Sequence, residues 1–331
     1  MVNVGIVGLG YWGPNLLRNV ASNRRCGEIT ICDNDASKLD RMARRFPAAG
    51  KCGRYEELLA DDSLDAIVIA TDVSSHFPLG KAALEAGRHV FIEKPFASST
   101  REAETLVEMA EERSLVSMVG HTFLYSPPVV ATKRIIDSGE LGDILFVTSS
   151  RVNLGLHQKD VSVIWDLCPH DFSMLFYWLG EEPTWVSAFG HDYVIDGIPD
   201  VAFVDLRFPR GTIGNVQVSW LAPSKLRRTV VVGSRKMLVY DDTEPYEKIK
   251  IYDKGVEVME PESFGEYQLA YRTGDIVSPK LDTYEPLASE MEDFLRCVET
   301  GGTPRASGRN GLEVVRALEM ADGSLKAGGE S

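Results

Sequence analysis

The sequence predicts an α/β fold followed by α+β: an N-terminal doubly wound parallel sheet, then a domain built on an open, mostly antiparallel sheet. Three observations carry this. A strand-like run, Val2–Val7, leads at once into Gly8-Leu9-Gly10-Tyr11-Trp12-Gly13 and a helical stretch. Short apolar runs then alternate with amphipathic ones as far as about Gly120. Beyond it, β-like segments recur at short intervals with turn signals between them. The domain boundary is expected there, giving domains 1–120 and 121–331.

Val2–Val7 carries almost no polarity, which suits a strand buried on both faces. Pro14 opens a helix through Ala21, since proline is tolerated in a first turn. Ile29–Asp33 reads as the second strand, and a short third is expected near Lys51–Arg54. Strand Ala66–Ala70, helix Ser75–Ala86, strand His89–Ile92, helix Ser99–Arg113 and strand Leu115–Gly120 complete the domain. In the second domain, helices are expected at Val129–Asp137 and Leu167–Leu179, with a strand at Ile144–Val152 between them. Strands follow at Trp185–His191, Val201–Phe208, Thr212–Trp220, Arg227–Val232, Lys236–Tyr240, Lys248–Tyr252 and Val256–Met259. Pro209-Arg210-Gly211 and Asp253-Lys254-Gly255 read as turns, and helices Pro286–Glu299 and Asn310–Lys326 close the chain.

Composition narrows the function. With 331 residues, 44% hydrophobic and 25% charged, the chain has the make-up of an ordinary globular protein of two domains. Its 49 acidic against 35 basic residues give a net charge of −14, which argues against nucleic acid or an anionic membrane as partner. No apolar run approaches the roughly 20 residues of a membrane span. The first strand starts within two residues of the N-terminus, where a signal peptide would not fit. Five cysteines without a C-x-x-C pair argue against a disulfide framework or a zinc site, so no metal is expected and the chain reads as cytoplasmic.

The glycine run points to a dinucleotide. Gly8 permits the tight turn, Gly10 removes a side chain that would block a pyrophosphate, and Gly13 allows close packing of the helix. The helix N-terminus then faces the anion. Asp33 stands about 20 residues beyond Gly13, where an acid meets the adenosine ribose hydroxyls. A carboxylate there repels a 2′-phosphate, so NAD is expected in preference to NADP. Arg41, Arg44 and Arg45 read as a solvated helix face. Ligands bind outside the carboxyl ends of such strands, so Asp33, Thr71–His76 and Glu93-Lys94-Pro95 should converge on the cofactor.

Two constellations carry chemistry. Lys94 follows a buried strand, where an ammonium can stabilise alkoxide character near a nicotinamide. Pro95 makes the preceding peptide a candidate cis bond. Further on, Asp166 and His170 stand at i and i+4 on one helix face, and a carboxylate beside an imidazole suits proton abstraction from an alcohol. Asp166 also reads as an N-cap, Pro169 as a first-turn proline and His170 as a satisfied polar residue, and both readings stand together. Tyr125, Arg151, Asn153, His157 and Trp165 are candidates for a substrate pocket, arginine for a diphosphate or carboxylate and aromatic faces for a sugar ring. His89 and His191 read as strand residues, and His121 is left open.

Over essentially its whole length the chain resembles the Gfo/Idh/MocA oxidoreductases, which include glucose–fructose oxidoreductase and inositol dehydrogenase. The resemblance rests on Gly8–Gly13, Ala70-Thr71-Asp72-Val73-Ser74-Ser75-His76, Glu93-Lys94-Pro95, Ser138-Gly139-Glu140-Leu141-Gly142-Asp143 and Asp166-x-x-x-His170. It implies an N-terminal Rossmann domain and a C-terminal domain whose open sheet builds a homodimer or homotetramer. It implies that Lys94 binds the reacting substrate oxygen, that His170 is the acid/base and that Asp166 assists. Tyr11, Trp12, Thr71, Ser74 and His76 would lie along the cofactor, with Glu93 near the nicotinamide ribose. Many members carry a glycine-rich run before the Asp-x-x-x-His motif. Here Asp160–Trp165 replaces it, which favours a side-chain wall. With Arg151–Gly155 upstream, the version here looks like members from nucleotide-sugar and aminosugar pathways.

The expected activity is interconversion of a secondary ring alcohol and its ketone on a sugar, nucleotide sugar or cyclitol with NAD. An NAD-dependent glycosidase of the same family is one alternative, and a non-catalytic NAD(H)-responsive binding protein is the other.

Overall fold

The computed structural model describes residues 1–155, 157–158, 161–259 and 268–330. Asp160, named above, lies outside them. The chain forms two compact units, Met1–Ser126 with Tyr284–Glu319 and Pro127–Thr283 with Met320–Ser331.

The first unit runs β1 (Val2–Val7), α1 (Gly13–Ala21), β2 (Cys26–Cys32), α2 (Ala36–Arg45), β3 (Gly50–Cys52) and α3 (Tyr55–Leu59). It continues through β4 (Ala66–Ile69), α4 (Val73–Glu85), β5 (His89–Ile92), α5 (Thr100–Glu112), β6 (Ser117–Val119) and a 3₁₀ turn, Thr122–Tyr125. The six strands are parallel in the order β3-β2-β1-β4-β5-β6. Every residue of β4 is buried, as an all-apolar strand covered on both faces requires. Local chemistry sets the helix starts. Asp35 caps α2 by accepting from the Ser37 and Lys38 amides, and Ser99 caps α5 through the Glu102 amide.

The second unit runs α6 (Pro127–Asp137), β7 (Ile144–Leu154), α7 (Val163–Leu179), β8 (Trp185–His191), β9 (Val201–Arg207) and β10 (Ile213–Ser219). It continues through β11 (Leu221–Gly233), β12 (Met237–Asp241), β13 (Ile249–Met259) and β14 (Gln268–Val277). The eight strands lie in the order β14-β13-β12-β11-β7-β10-β9-β8, antiparallel throughout except for the parallel pair β10–β7. Helix α7 packs on β7, β9 and β10. On the other face Phe146 pairs across from Ile213, and Phe203 from Phe189, and all four are exposed.

Helices α8 (Pro286–Thr300) and α9 (Gly308–Lys326) end the chain. The expected boundary at residue 120 therefore differs from the observed division, because α8 and the start of α9 return to the first unit. Leu287, Met291, Phe294 and Leu295 of α8 are buried there, and the Tyr125 hydroxyl donates to Asp293 at 2.7 Å.

Four other expectations are corrected. Helix α7 starts at Val163, four residues early, because Val163 and Ile164 are buried and the Val163 amide finds an acceptor in the Pro199 carbonyl at 2.9 Å. Ser162 thus holds the N-cap position, Asp166 lies inside the first turn, and Pro169 sits further along the helix. Asp253-Lys254-Gly255 is strand rather than turn. Pairing with β14, which the sequence reading did not anticipate, carries β13 through it with a register shift between Tyr252 and Lys254.

A buried polar network joins β7, β11 and α7. Arg151 Nε donates to Asp171 Oδ2 at 2.5 Å and a second guanidinium nitrogen to Oδ1 at 3.3 Å. The Ser149 hydroxyl donates to Asp171 at 2.7 Å and lies 2.9 Å from that of Thr229. Removing one member of a buried pair leaves the other charge uncompensated. Asp171→Ala is expected to cost roughly 3–5 kcal/mol in urea unfolding, whereas the double change Arg151→Met with Asp171→Leu should recover most of that loss.

Candidate active site

The first unit holds a cleft of about 690 Å³ at the carboxyl ends of its strands, lined by Gly8, Gly10, Tyr11, Asp33, Thr71 and Ser75 among others. Gly8 has φ +89°, a conformation that favours glycine. A Cβ at Gly13 would lie 1.9 Å from the Gly8 carbonyl oxygen, so the loop closes on itself only with glycine there. The space above Gly10 is open. Asp33 accepts from the Leu9 amide at 2.7 Å and the Asp35 amide at 2.8 Å, so it braces the glycine loop and is not a helix cap. Its oxygens keep lone pairs for ribose hydroxyls. The cradle therefore fits a dinucleotide.

The neighbouring candidates divide. Thr71 lies in the cleft and its hydroxyl accepts from Ser75 at 2.8 Å. Ser74 is exposed and Ser75 takes the expected place on the lining. His76 is buried, with Nδ1 2.8 Å from the Pro95 carbonyl and Nε2 3.1 Å from that of Thr71. It ties together two loops at the cleft mouth, and burial lowers its pKa. Tyr11 and Trp12 stack at 6.5 Å between centroids, with Tyr11 almost fully exposed.

The Lys94–Pro95 peptide is cis, as expected. Glu93 accepts from the Lys94 amide at 3.2 Å and from the Trp12 side chain. Burial pushes its carboxyl up to about 7. A Cβ at Gly120 would stand 2.8 Å from that carboxyl, so glycine is what admits it. The Lys94 residue is half-buried. His121 is buried beside it, and neither ring nitrogen has a partner. Burial, with the Lys94 charge as a smaller cause, lowers its pKa to about 3, so the imidazole is neutral. The signal that could have singled out His121 is its place just past the end of β6, where ligands of such sheets bind.

In the second unit, α7 carries Asp166 and His170 one turn apart, as expected. The Trp220 indole donates to Asp166 Oδ2 at 3.2 Å and meets the His157 ring edge-on at 5.3 Å. His157 Nε2 is 3.9 Å from Asp200 Oδ2. Trp220 and Asp200 were not singled out in the sequence, where Trp220 ends one expected strand and Asp200 precedes another. Trp165 and Asn153 are half-buried. Two substrate candidates are corrected: Arg151 is buried in its pair with Asp171, and Tyr125 is buried with its hydroxyl on Asp293. Both serve internal networks. Among the described residues no group of three His, Cys, Asp or Glu is placed to hold a metal, and no helix is long and apolar enough to cross a membrane.

Residues 2–121 match the family model described as "Oxidoreductase family, NAD-binding Rossmann fold", and residues 129–239 match the GFO/IDH/MocA C-terminal domain. UDP-N-acetylglucosamine 3-dehydrogenase of Acidithiobacillus ferrooxidans is 28% identical over 323 residues, covering 96% of this chain and 95% of its own. Scyllo-inositol 2-dehydrogenase (NAD(+)) of Bacillus subtilis is 26% identical, covering 92% of this chain and 88% of its own. A solved structure of the Acidithiobacillus ferrooxidans enzyme covers 98% of both chains with a TM-score of 0.81 and 26% identity. With the glycine cradle, the Asp33 brace and the two sheets in place, the chain belongs to the GFO/IDH/MocA family of NAD-binding oxidoreductases.

Proposed function

We propose that the protein is an NAD-dependent dehydrogenase that interconverts a secondary alcohol and a ketone on the ring of a nucleotide sugar, sugar or cyclitol. The observation that carries this reading is Lys94, which follows β5 near the buried neutral His121 in a unit with a dinucleotide cradle. The substrate class follows the activities for which the two relatives are named, on a nucleotide sugar and an inositol.

NAD, when bound, supplies the hydride acceptor. Gly8, Gly10 and Gly13 let the backbone approach the pyrophosphate, and Asp33 takes the adenosine ribose hydroxyls. Tyr11, Trp12, Thr71 and Glu93 border the same ligand, with Ser75 in place of Ser74. Lys94 donates to the reacting oxygen and stabilises the negative charge that develops on it. His170 takes the hydroxyl proton, and Asp166, anchored by Trp220, orients and supports that imidazole. Asn153, Trp165 and His157 face the sugar. The exposed Phe146, Phe189, Phe203 and Ile213 make the open sheet the interface of a homodimer or homotetramer. The five cysteines remain thiols, in keeping with a cytoplasmic enzyme.

Lys94→Ala is expected to slow turnover by about 10²–10⁴-fold while NAD still quenches tryptophan fluorescence. Near-normal turnover would remove Lys94 from the chemistry. His170→Ala should abolish the ionisation seen in the pH profile of hydride transfer, and an unaltered profile would make the residue structural. Gly13→Ala should lose NAD binding, because its methyl occupies the place of the Gly8 carbonyl. Substrates are found by following NADH absorbance with UDP-sugars, free sugars and inositols. Release of an aglycone without net NADH identifies a glycosidase, and NAD binding without any turnover identifies a binding protein.

A further inference from the structure

Two buried carboxyl oxygens in the first unit lack a donor: Oε1 of Glu93 and Oε1 of Glu290. Buried polar atoms without partners are rare, and each one calls for an explanation. Here the two belong together. The Phe91 and Phe294 rings meet edge-on with centroids 5.7 Å apart, which sets β5 against α8. Glu93 lies two residues beyond Phe91 on the same side of an extended chain, and its amide still donates to the Ile69 carbonyl as the ladder continues. Glu290 lies four residues before Phe294, one turn along the same helix face. Two strand residues and one helical turn each advance about 6 Å, which puts the two carboxyls on the facing sides of β5 and α8, near enough for the charge of Glu93 to act on Glu290.

The segment after β6 touches both. Gly120 lies against the Glu93 carboxyl, and the Thr122 hydroxyl donates to Glu290 Oε2 at 2.7 Å. That leaves one oxygen on each side unsatisfied.

We propose that Glu290 and Glu93 share one proton, the Glu290 carboxylic acid donating to Glu93 Oε1, so that Glu290 is a positioning residue for the Glu93-Lys94 loop. Glu93 is thereby held where its other oxygen receives the Lys94 amide. The electrostatics agree. Burial raises both carboxyls, Glu93 to about 7 and Glu290 well above its ordinary value, and the charge of Glu93 raises Glu290 further. The other charged and titratable groups around the pair are Lys94 beside Glu93, Asp293 beside Glu290, and His121, Tyr125, Arg296 and Arg305 beyond these. His121 stays neutral, and Asp293 is held low by the Arg305 amide, the Tyr125 hydroxyl and Arg296.

Carboxyls raised on folding contribute stability that is complete below their unfolded pKa, near 4.5, and is lost as pH rises through the folded value. The pair therefore keeps at least one proton at and below neutral pH; its loss at higher pH leaves two carboxylates that repel, and Glu93 is displaced. The effect on cofactor binding rests on the dehydrogenase reading; the proton itself does not.

The test combines infrared spectroscopy with NAD titration on the full chain. The wild type should show a protonated-carboxyl C=O band at pH 7 that Glu290→Gln weakens by at least half. NAD affinity, read from tryptophan quenching, should fall at least threefold from pH 7 to 9 in the wild type. In Glu290→Gln, whose amide still donates to Glu93, it should stay flat. Absence of the band from the wild type overturns the proposal without any variant, and so does a Glu290→Gln protein that keeps more than half of the band or the wild-type pH profile. Glu290→Leu removes the donor and should weaken NAD at least tenfold at pH 7; unchanged affinity there overturns the positioning role. Should every sugar fail as substrate while band and profile behave as expected, the dehydrogenase reading falls and the shared proton stands.

Discussion

The closeness of Gly13 to the Gly8 carbonyl is the constraint on which the cofactor end of the molecule depends. With no Cβ at either position, the chain turns sharply out of β1 and starts α1 close against the Gly8 carbonyl. Asp33 then fastens that turn through the Leu9 amide, so one carboxylate both rigidifies the loop and presents its remaining lone pairs to the cleft. A loop held this way reaches its ligand-binding shape before the ligand arrives, which lowers the ordering cost of binding.

Burial decides the availability of polar side chains throughout the molecule. Arg151, Tyr125 and His76 all have the chemistry to meet a sugar or a cofactor. Each instead satisfies groups that folding removes from water: the Asp171 carboxylate, the Asp293 carboxylate and, through the single N–H of a neutral imidazole, one of the carbonyls of Pro95 and Thr71. Leaving such groups alone in the interior is costly, and that cost outweighs the use the same side chains would have at a surface. The converse holds at Oε1 of Glu93, Oε1 of Glu290 and both ring nitrogens of His121, which have no such partner and lie around the loop that carries Lys94.

The late return of the chain adds to this site. Without α8 neither Glu290 nor Asp293 would stand behind the residues that follow β6. A division read along the sequence at residue 120 separates these partners, because it has no access to which distant helix covers a given strand.

Local rules were enough for the parallel sheet, the glycine loop, Asp33, the Lys94-cis-Pro95 bond as a candidate and the one-turn spacing of Asp166 and His170. Strand burial, φ preference and helical period act within a few residues of one another, so they can be read from order alone. The start of α7 at Val163 needed the Pro199 carbonyl, and the passage of β13 through Asp253-Lys254-Gly255 needed β14 as partner. Ser75 in place of Ser74, the burial of Arg151 and Tyr125, and the facing of Glu93 by Glu290 likewise arise from segments brought together by packing. Composition and order thus determined the kind of fold and the type of chemistry. Tertiary contact alone decided which side chains are free for that chemistry, since hydrogen-bond satisfaction in the interior depends on neighbours that the sequence places scores of residues away.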